Sequence, residues 1–161
     1  NQINNTSYSL LSYSKHLAES YKEKTKANYI KYYAKEIDMT ITDEVRSYSI
    51  NRLLSSQERT KWMEEWWESS HNVLIEQKAT LAEIDRTVEE SGMTMRLAFD
   101  ALFGFANSHN IPITIFSAGM ADVISFFLKH HSVDFPTIQI VANKLDVDSH
   151  NIIVDVKPRK Q

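Results

Sequence analysis

Asn110-Ile111-Pro112-Ile113-Thr114-Ile115-Phe116-Ser117-Ala118-Gly119 decides the fold. The apolar run from Ile111 to Phe116, marked at its start by Pro112, is too short for a helix and reads as a buried strand. It stops on a small hydroxyl residue, a small residue and a glycine, the composition of a sharp turn. Downstream, Gly119 to His130 carries a helical pattern, Thr137 to Val141 a second strand pattern, and Ile152 to Val156 a third beyond a turn at Ser149-His150-Asn151. Strand, loop, helix, strand at this spacing is a parallel crossover unit, whose ligands bind at the carboxyl ends of the strands. The fold class is therefore α/β, and Ser117 stands at one such strand end.

Upstream of Asn110 the signals are almost exclusively helical. Ser14 is a candidate cap for a helix running to about Ala34, with Leu17, Ala18, Tyr21 and Ile30 on one side and Lys22, Lys24 and Lys26 in solvent. Thr42-Asp43-Glu44 opens a second helical stretch, and Ser55-Ser56 separates it from a longer one over Gln57 to Gln77. In that longer stretch Trp62, Trp66, Val73 and Leu74 recur at helical spacing. Further helices are expected at Thr80 to Glu90 and Thr94 to Ser108. Two unlike parts result, a helical domain over residues 1–93 and an α/β domain over residues 94–161.

Composition narrows the partners. Among 161 residues, 18 basic and 21 acidic side chains give a formal charge of -3, without the basic excess that polynucleotide binders use to neutralise phosphates. No cysteine is present, so neither a disulfide framework nor a thiolate metal site can form. The longest apolar run falls far short of the roughly 20 residues that cross a bilayer as a helix. The polar start, Asn1 to Ser9, lacks a secretory pattern, so no export and no membrane partner are expected.

Chemistry concentrates at Ser117. A serine hydroxyl donates to a phosphoryl oxygen, the amides of Ala118 and Gly119 follow it, and the next helix adds partial positive charge. Taken by itself, a strand ending in Ser-Ala-Gly is equally a plain tight turn.

Three stretches in order sharpen the reading: Lys31-Tyr32-Tyr33-Ala34-Lys35-Glu36-Ile37-Asp38, then Glu65-Trp66-Trp67-Glu68-Ser69-Ser70-His71-Asn72-Val73-Leu74, then Asn110 to Gly119. Together they resemble the cytosolic pyrimidine 5′-nucleotidases (type III) of the haloacid dehalogenase superfamily, from about Leu17 to about Asp148. The resemblance implies a helical cap over residues 1–93 and a partial Rossmann-like core over residues 94–161. It implies hydrolysis of nucleoside 5′-monophosphates such as CMP or UMP through an aspartyl-phosphate, with Mg2+ as cofactor, in the cytoplasm, by a monomer. Ser117 and the backbone of Ala118 would hold the phosphate at the catalytic site, while Glu36, Trp67, Ser70 and His71 would read the base. An aromatic face stacks on any base and a carboxylate selects edges that present donors, which fits these roles. Read without the resemblance, Glu36 is a solvated charge, His71 a surface histidine, and the tryptophan pair Trp62 and Trp66 core residues.

The pattern also departs from the family. The superfamily nucleophile and general acid come as Asp-x-Asp-x-Thr after an apolar strand, and no such strand precedes Lys31. Glu36 to Thr42 imitates the shape with glutamate in the nucleophile's place. Leu145-Asp146-Val147-Asp148-Ser149 comes after the serine motif and reads as a solvated acidic turn, and Lys157, Arg159 and Lys160 read as a polar tail. No catalytic lysine and no final acidic motif are found, so no metal ligand is assigned and the 161 residues by themselves are expected to be inactive. Val45 to Ser56 resembles an insertion, and Ala98 stands where the family usually has glycine. Two rival readings remain: a preference for 7-methylguanosine monophosphate, whose charged base would stack on Trp67, and a non-catalytic nucleotide- or protein-binding remnant.

Overall fold

The computed structural model describes residues 7–33 and 55–157. The chain divides into two compact units, Glu19–Gln77 on one side and Asn1–Ala18 with Lys78–Gln161 on the other. This division departs from the expected boundary at residue 93. Residues 7–18 and 78–93 pack with the sheet because Ile84 and Val88 are buried there and Ser14 Oγ lies 2.6 Å from Thr87 Oγ1.

In the sheet unit, α1 (Ser7–Ser12) is followed by a turn rather than by a continuous helix. Ser14 is therefore not the cap expected of it. Its hydroxyl is engaged by Thr87, 73 residues away, and accepts from the His16 N–H at 3.0 Å.

The helix α4 (Leu81–Glu90) starts on a reciprocal cap, in which the Thr80 hydroxyl accepts from Glu83 N–H and the Glu83 carboxylate accepts from Thr80 N–H. The helix α5 (Phe99–Ser108) begins five residues later than the expected Thr94, because Ala98 sits in the left-handed region at φ 67, ψ 1 and forces the chain to turn before the helix can propagate.

Three strands form one sheet in the order β1-β2-β3. The strand β1 (Ile113–Met120) pairs in parallel with β2 (Ile138–Val147) through α6 (Ala121–His130), the expected crossover. The strand β3 (Ile153–Lys157) returns antiparallel to β2. The architecture is α/β. Phe103, Leu128 and Val133 form a buried cluster with Ile113, Ile115, Ile138 and Ile140 against it, so α5 and α6 cover the inward face of β1 and β2.

Two boundaries move for the same reason. Residue 119 belongs to β1 rather than to the helix, since Met120 is paired again with Asn143, and β2 runs on to Val147 because β3 supplies it with an antiparallel partner. Lys157 closes β3 and is ion-paired with Asp146, so it is part of the sheet and not of a polar tail; Arg159 and Lys160 lie outside the described residues. Asp146, within β2, is likewise not in a turn, while Asp148 is: its Oδ1 accepts from His150 N–H at 2.8 Å and Ile152 N–H at 3.0 Å.

The second unit contains α2 (Glu19–Tyr33) and α3 (Ser56–Ile75), which pack together. The start of α3 is capped by Ser55 and Glu58 in the same reciprocal way as α4. Ser69 Oγ donates to Asn28 Oδ1 at 3.0 Å, and Lys24 forms an ion pair with Glu76. The helical stretch expected from Thr42 and the insertion over residues 45–54 lie outside the described residues.

Candidate functional site

The Ser117 turn is an interruption of a strand ladder. Ile113 to Phe116 pair in step with Ile138 to Val141, but the next paired residues are Met120 and Asn143. Four steps along β1 are thus matched by two along β2, and Ser117, Ala118 and Gly119 bulge out opposite Ala142 alone. Strand alternation turns Ser117 and Gly119 towards the half-buried side and leaves Ala118 exposed.

Two bonds hold the bulge. Gly119 N–H donates to Ser117 Oγ at 3.0 Å, and the Asn143 side-chain amide donates to the Ala118 carbonyl at 2.9 Å. Just beyond, Asp122 in the first turn of α6 accepts from Leu145 N–H at 2.8 Å, which ties the helix start to β2. Ser117 Oγ accepts from Gly119 N–H, which leaves its single O–H as a donor for a further acceptor.

In the second unit, Trp67, Ser70 and His71 share one face of α3 at i, i+3 and i+4 spacing and all three are half-buried. The Trp67 and His71 rings meet edge to face, with centroids 6.3 Å apart at 62°. Ser70 sits beside Ser69, whose hydroxyl is committed to Asn28. Trp62 and Trp66 are half-buried instead of forming core, whereas Val73 and Leu74 are buried as expected. Glu36 lies outside the described residues.

Among the described residues, no group of three or more histidine, aspartate or glutamate side chains converges to hold a metal ion. Asp146 and Asp148, the acidic residues closest in sequence pattern to a ligand pair, are occupied by Lys157 and by two backbone N–H groups. These bonds hold both carboxyls below the ordinary carboxylate range. The described residues do not fit magnesium, and no chemical step is derived through it.

Sequence reasoning missed Asn143 and Asp122. For Asn143 the available signal was an amide directly following the apolar run Ile140-Val141-Ala142, which a strand tolerates in its buried interior only when the amide has a partner.

A family model described as pyrimidine 5′-nucleotidase (UMPH-1) matches residues 1–159. The chain is 32% identical over 148 residues to the 7-methylguanosine phosphate-specific 5′-nucleotidase of Gallus gallus, covering 92% of this chain and 47% of that protein. It is 30% identical over 152 residues to the enzyme of the same name from Homo sapiens, covering 94% and 46%. In fold it is similar to cytosolic 5′-nucleotidase IIIB solved with cytidine bound, at a TM-score of 0.69 and 22% identity, over 95% of this chain and 46% of that one. The chain spans about half the length of the curated relatives it matches. No helix among the described residues is long and apolar enough to cross a membrane.

Proposed function

The chain belongs to the pyrimidine 5′-nucleotidase family, and we propose on that premise that it supplies the phosphate-binding turn and the base-reading helix of a nucleoside 5′-monophosphate phosphohydrolase. The observation that carries the proposal is the Ser117 bulge, in which a hydroxyl is fixed as acceptor to Gly119 and kept as donor to a ligand. Ser117 O–H and the Ala118 backbone bind the phosphoryl oxygens, and neither accepts or donates a proton in the chemistry. Trp67 stacks on the base, and Ser70 and His71 offer hydrogen bonds to its edge. Glu36 is assigned to the same base. The nucleophilic aspartate and the ligands of magnesium, the expected cofactor, are assigned to groups other than those described, since no Asp-x-Asp-x-Thr occurs in the 161 residues. Cytoplasmic location and monomeric state belong to the same proposal.

The primary substrate class is a pyrimidine nucleoside monophosphate. A second reading, 7-methylguanosine monophosphate, is favoured by the half-buried Trp67 face and by the specificity for which the relatives in Gallus gallus and Homo sapiens are named. Tryptophan fluorescence titrations of the protein with CMP, UMP and 7-methylguanosine monophosphate test the proposal. Saturable quenching that disappears in Trp67→Ala, with tighter binding of one base class, is the expected result. Equal, unsaturable quenching in wild type and variant would overturn the base-reading role. Magnesium-dependent phosphate release by the 161 residues alone would overturn the placement of the nucleophile elsewhere.

A further inference from the structure

Asn143 is 8% exposed, one of only two polar residues buried among those described, and its side chain spends its donor on a single target, the carbonyl of Ala118 at 2.9 Å. That carbonyl belongs to the bulge, where β1 has left the ladder and no backbone N–H of β2 stands opposite it in register. The 118–119 peptide is planar and trans, so its carbonyl and its N–H point in opposite directions. Fixing the Ala118 carbonyl towards β2 therefore fixes the Gly119 N–H towards the other side, where it meets Ser117 Oγ at 3.0 Å. Asn143 is itself held by its place in the register opposite Met120, which is fully buried.

We propose that Asn143 is a positioning residue for the phosphate-reading hydroxyl. It acts through the Ala118–Gly119 peptide to hold Ser117 Oγ as an acceptor and so to direct the Ser117 O–H outward. The inference rests on the reading of Ser117 as a phosphate ligand. Without the Asn143 amide, the peptide is free to rotate and the hydroxyl becomes one rotor among three staggered positions. The Asn143 bond is a neutral one that orients a charge-accepting group, so its loss is felt at the ligand and only modestly in the fold.

The test is a double-mutant cycle read by calorimetric titration with inorganic phosphate, on wild type, Asn143→Ala, Ser117→Ala and the double variant. Asn143→Ala is expected to weaken phosphate binding by about five- to tenfold, less than the full effect of one hydrogen bond to a charged group, because the Ser117 hydroxyl is still present and only its aim is lost. In the Ser117→Ala background the same change is expected to have almost no further effect, because the group it positions is gone. Independent, additive losses would assign Asn143 a structural role only and overturn the inference. A loss in Ser117→Ala with none in Asn143→Ala would overturn the inference and leave the reading of Ser117 standing. Unchanged affinity in Ser117→Ala, or no phosphate binding by wild type, would overturn both. A second measurement covers the case in which Asn143→Ala does not fold. In wild type, saturation with inorganic phosphate is expected to shift the amide resonances of Gly119 and of the Asn143 side chain, and resonances that stay in place would overturn the proposal.

Discussion

Replacing Ala98 by glycine should stabilise this protein, although an exchange of alanine for glycine within a helix is ordinarily a loss. Ala98 lies immediately before α5 at φ 67, ψ 1, and its carbonyl accepts the first helical bond from Leu102 N–H at 3.0 Å. A residue with a Cβ in the left-handed region carries about 1–2 kcal/mol of strain that glycine does not. Against this stands glycine's larger loss of backbone freedom on folding, about 0.5–1 kcal/mol relative to alanine. The Ala98 methyl is exposed, so its removal opens no cavity. The net gain is about 0.5–1 kcal/mol, which for a chain of this size raises the thermal midpoint by roughly 1–4 °C. Ala101, three residues on and exposed within α5, is the internal control. There glycine has no strain to relieve and should lower stability by about 1 kcal/mol. Thermal unfolding of both variants beside wild type decides the matter. A midpoint for Ala98→Gly that falls along with that of Ala101→Gly would refute the strain reasoning. The resemblance to a family that usually has glycine here acquires a physical meaning: the position selects for φ, not for size.

Two further outcomes are expected. Thr80→Ala removes the side-chain half of the cap on α4 and should lower stability by about 1 kcal/mol in a denaturant titration, while Thr80→Ser should retain most of it. The β2–β3 hairpin should lose stability in the acid range. Asp148 is held below the usual carboxylate range by the N–H groups of Ile152 and His150, and Asp146 by Lys157. A depressed folded pKa gives stability that is fully present above the unfolded value of about 3.9 and is lost as pH falls through the lower folded value. The difference in thermal midpoint between wild type and Asp148→Ala should therefore shrink as pH falls below about 4; a difference that persists undiminished well below about pH 4 would contradict the assignment.

What the sequence showed and what it concealed follow from the range of the interactions. The strand β1, the crossover through α6 and the long helix α3 rest on local spacing, a short apolar run bounded by proline and glycine in one case and tryptophan, valine and leucine at helical intervals in the other. Ser14 misled because its local context is that of a cap, while the bond that governs it reaches Thr87. The extension of β2 and the place of Lys157 depend on an antiparallel pairing that reaches as far as Lys144 opposite Lys157, beyond the local pattern of either strand. The capping pairs at Ser55 and Glu58, and at Thr80 and Glu83, went unread although each is a hydroxyl and a glutamate three apart. At the candidate site Ser117 was visible as the end of an apolar run, although β1 continues past it to Met120 and it lies in a bulge, and Trp67, Ser70 and His71 as one helix face. Asn143 was not, since its task is defined by a carbonyl 25 residues away.

The bulge at residues 117–119 also sets a constraint on how this part of the chain can change. Regular pairing and the bulge exclude each other, because the bulge arises from the two residues by which β1 outruns β2. Shortening β1 by two residues would heal the ladder and erase the bulge in one step, leaving the buried Asn143 amide without its Ala118 partner. If the bulge has the proposed phosphate-binding role, drift towards a smoother sheet is a path by which a relative could keep this fold and lose that role.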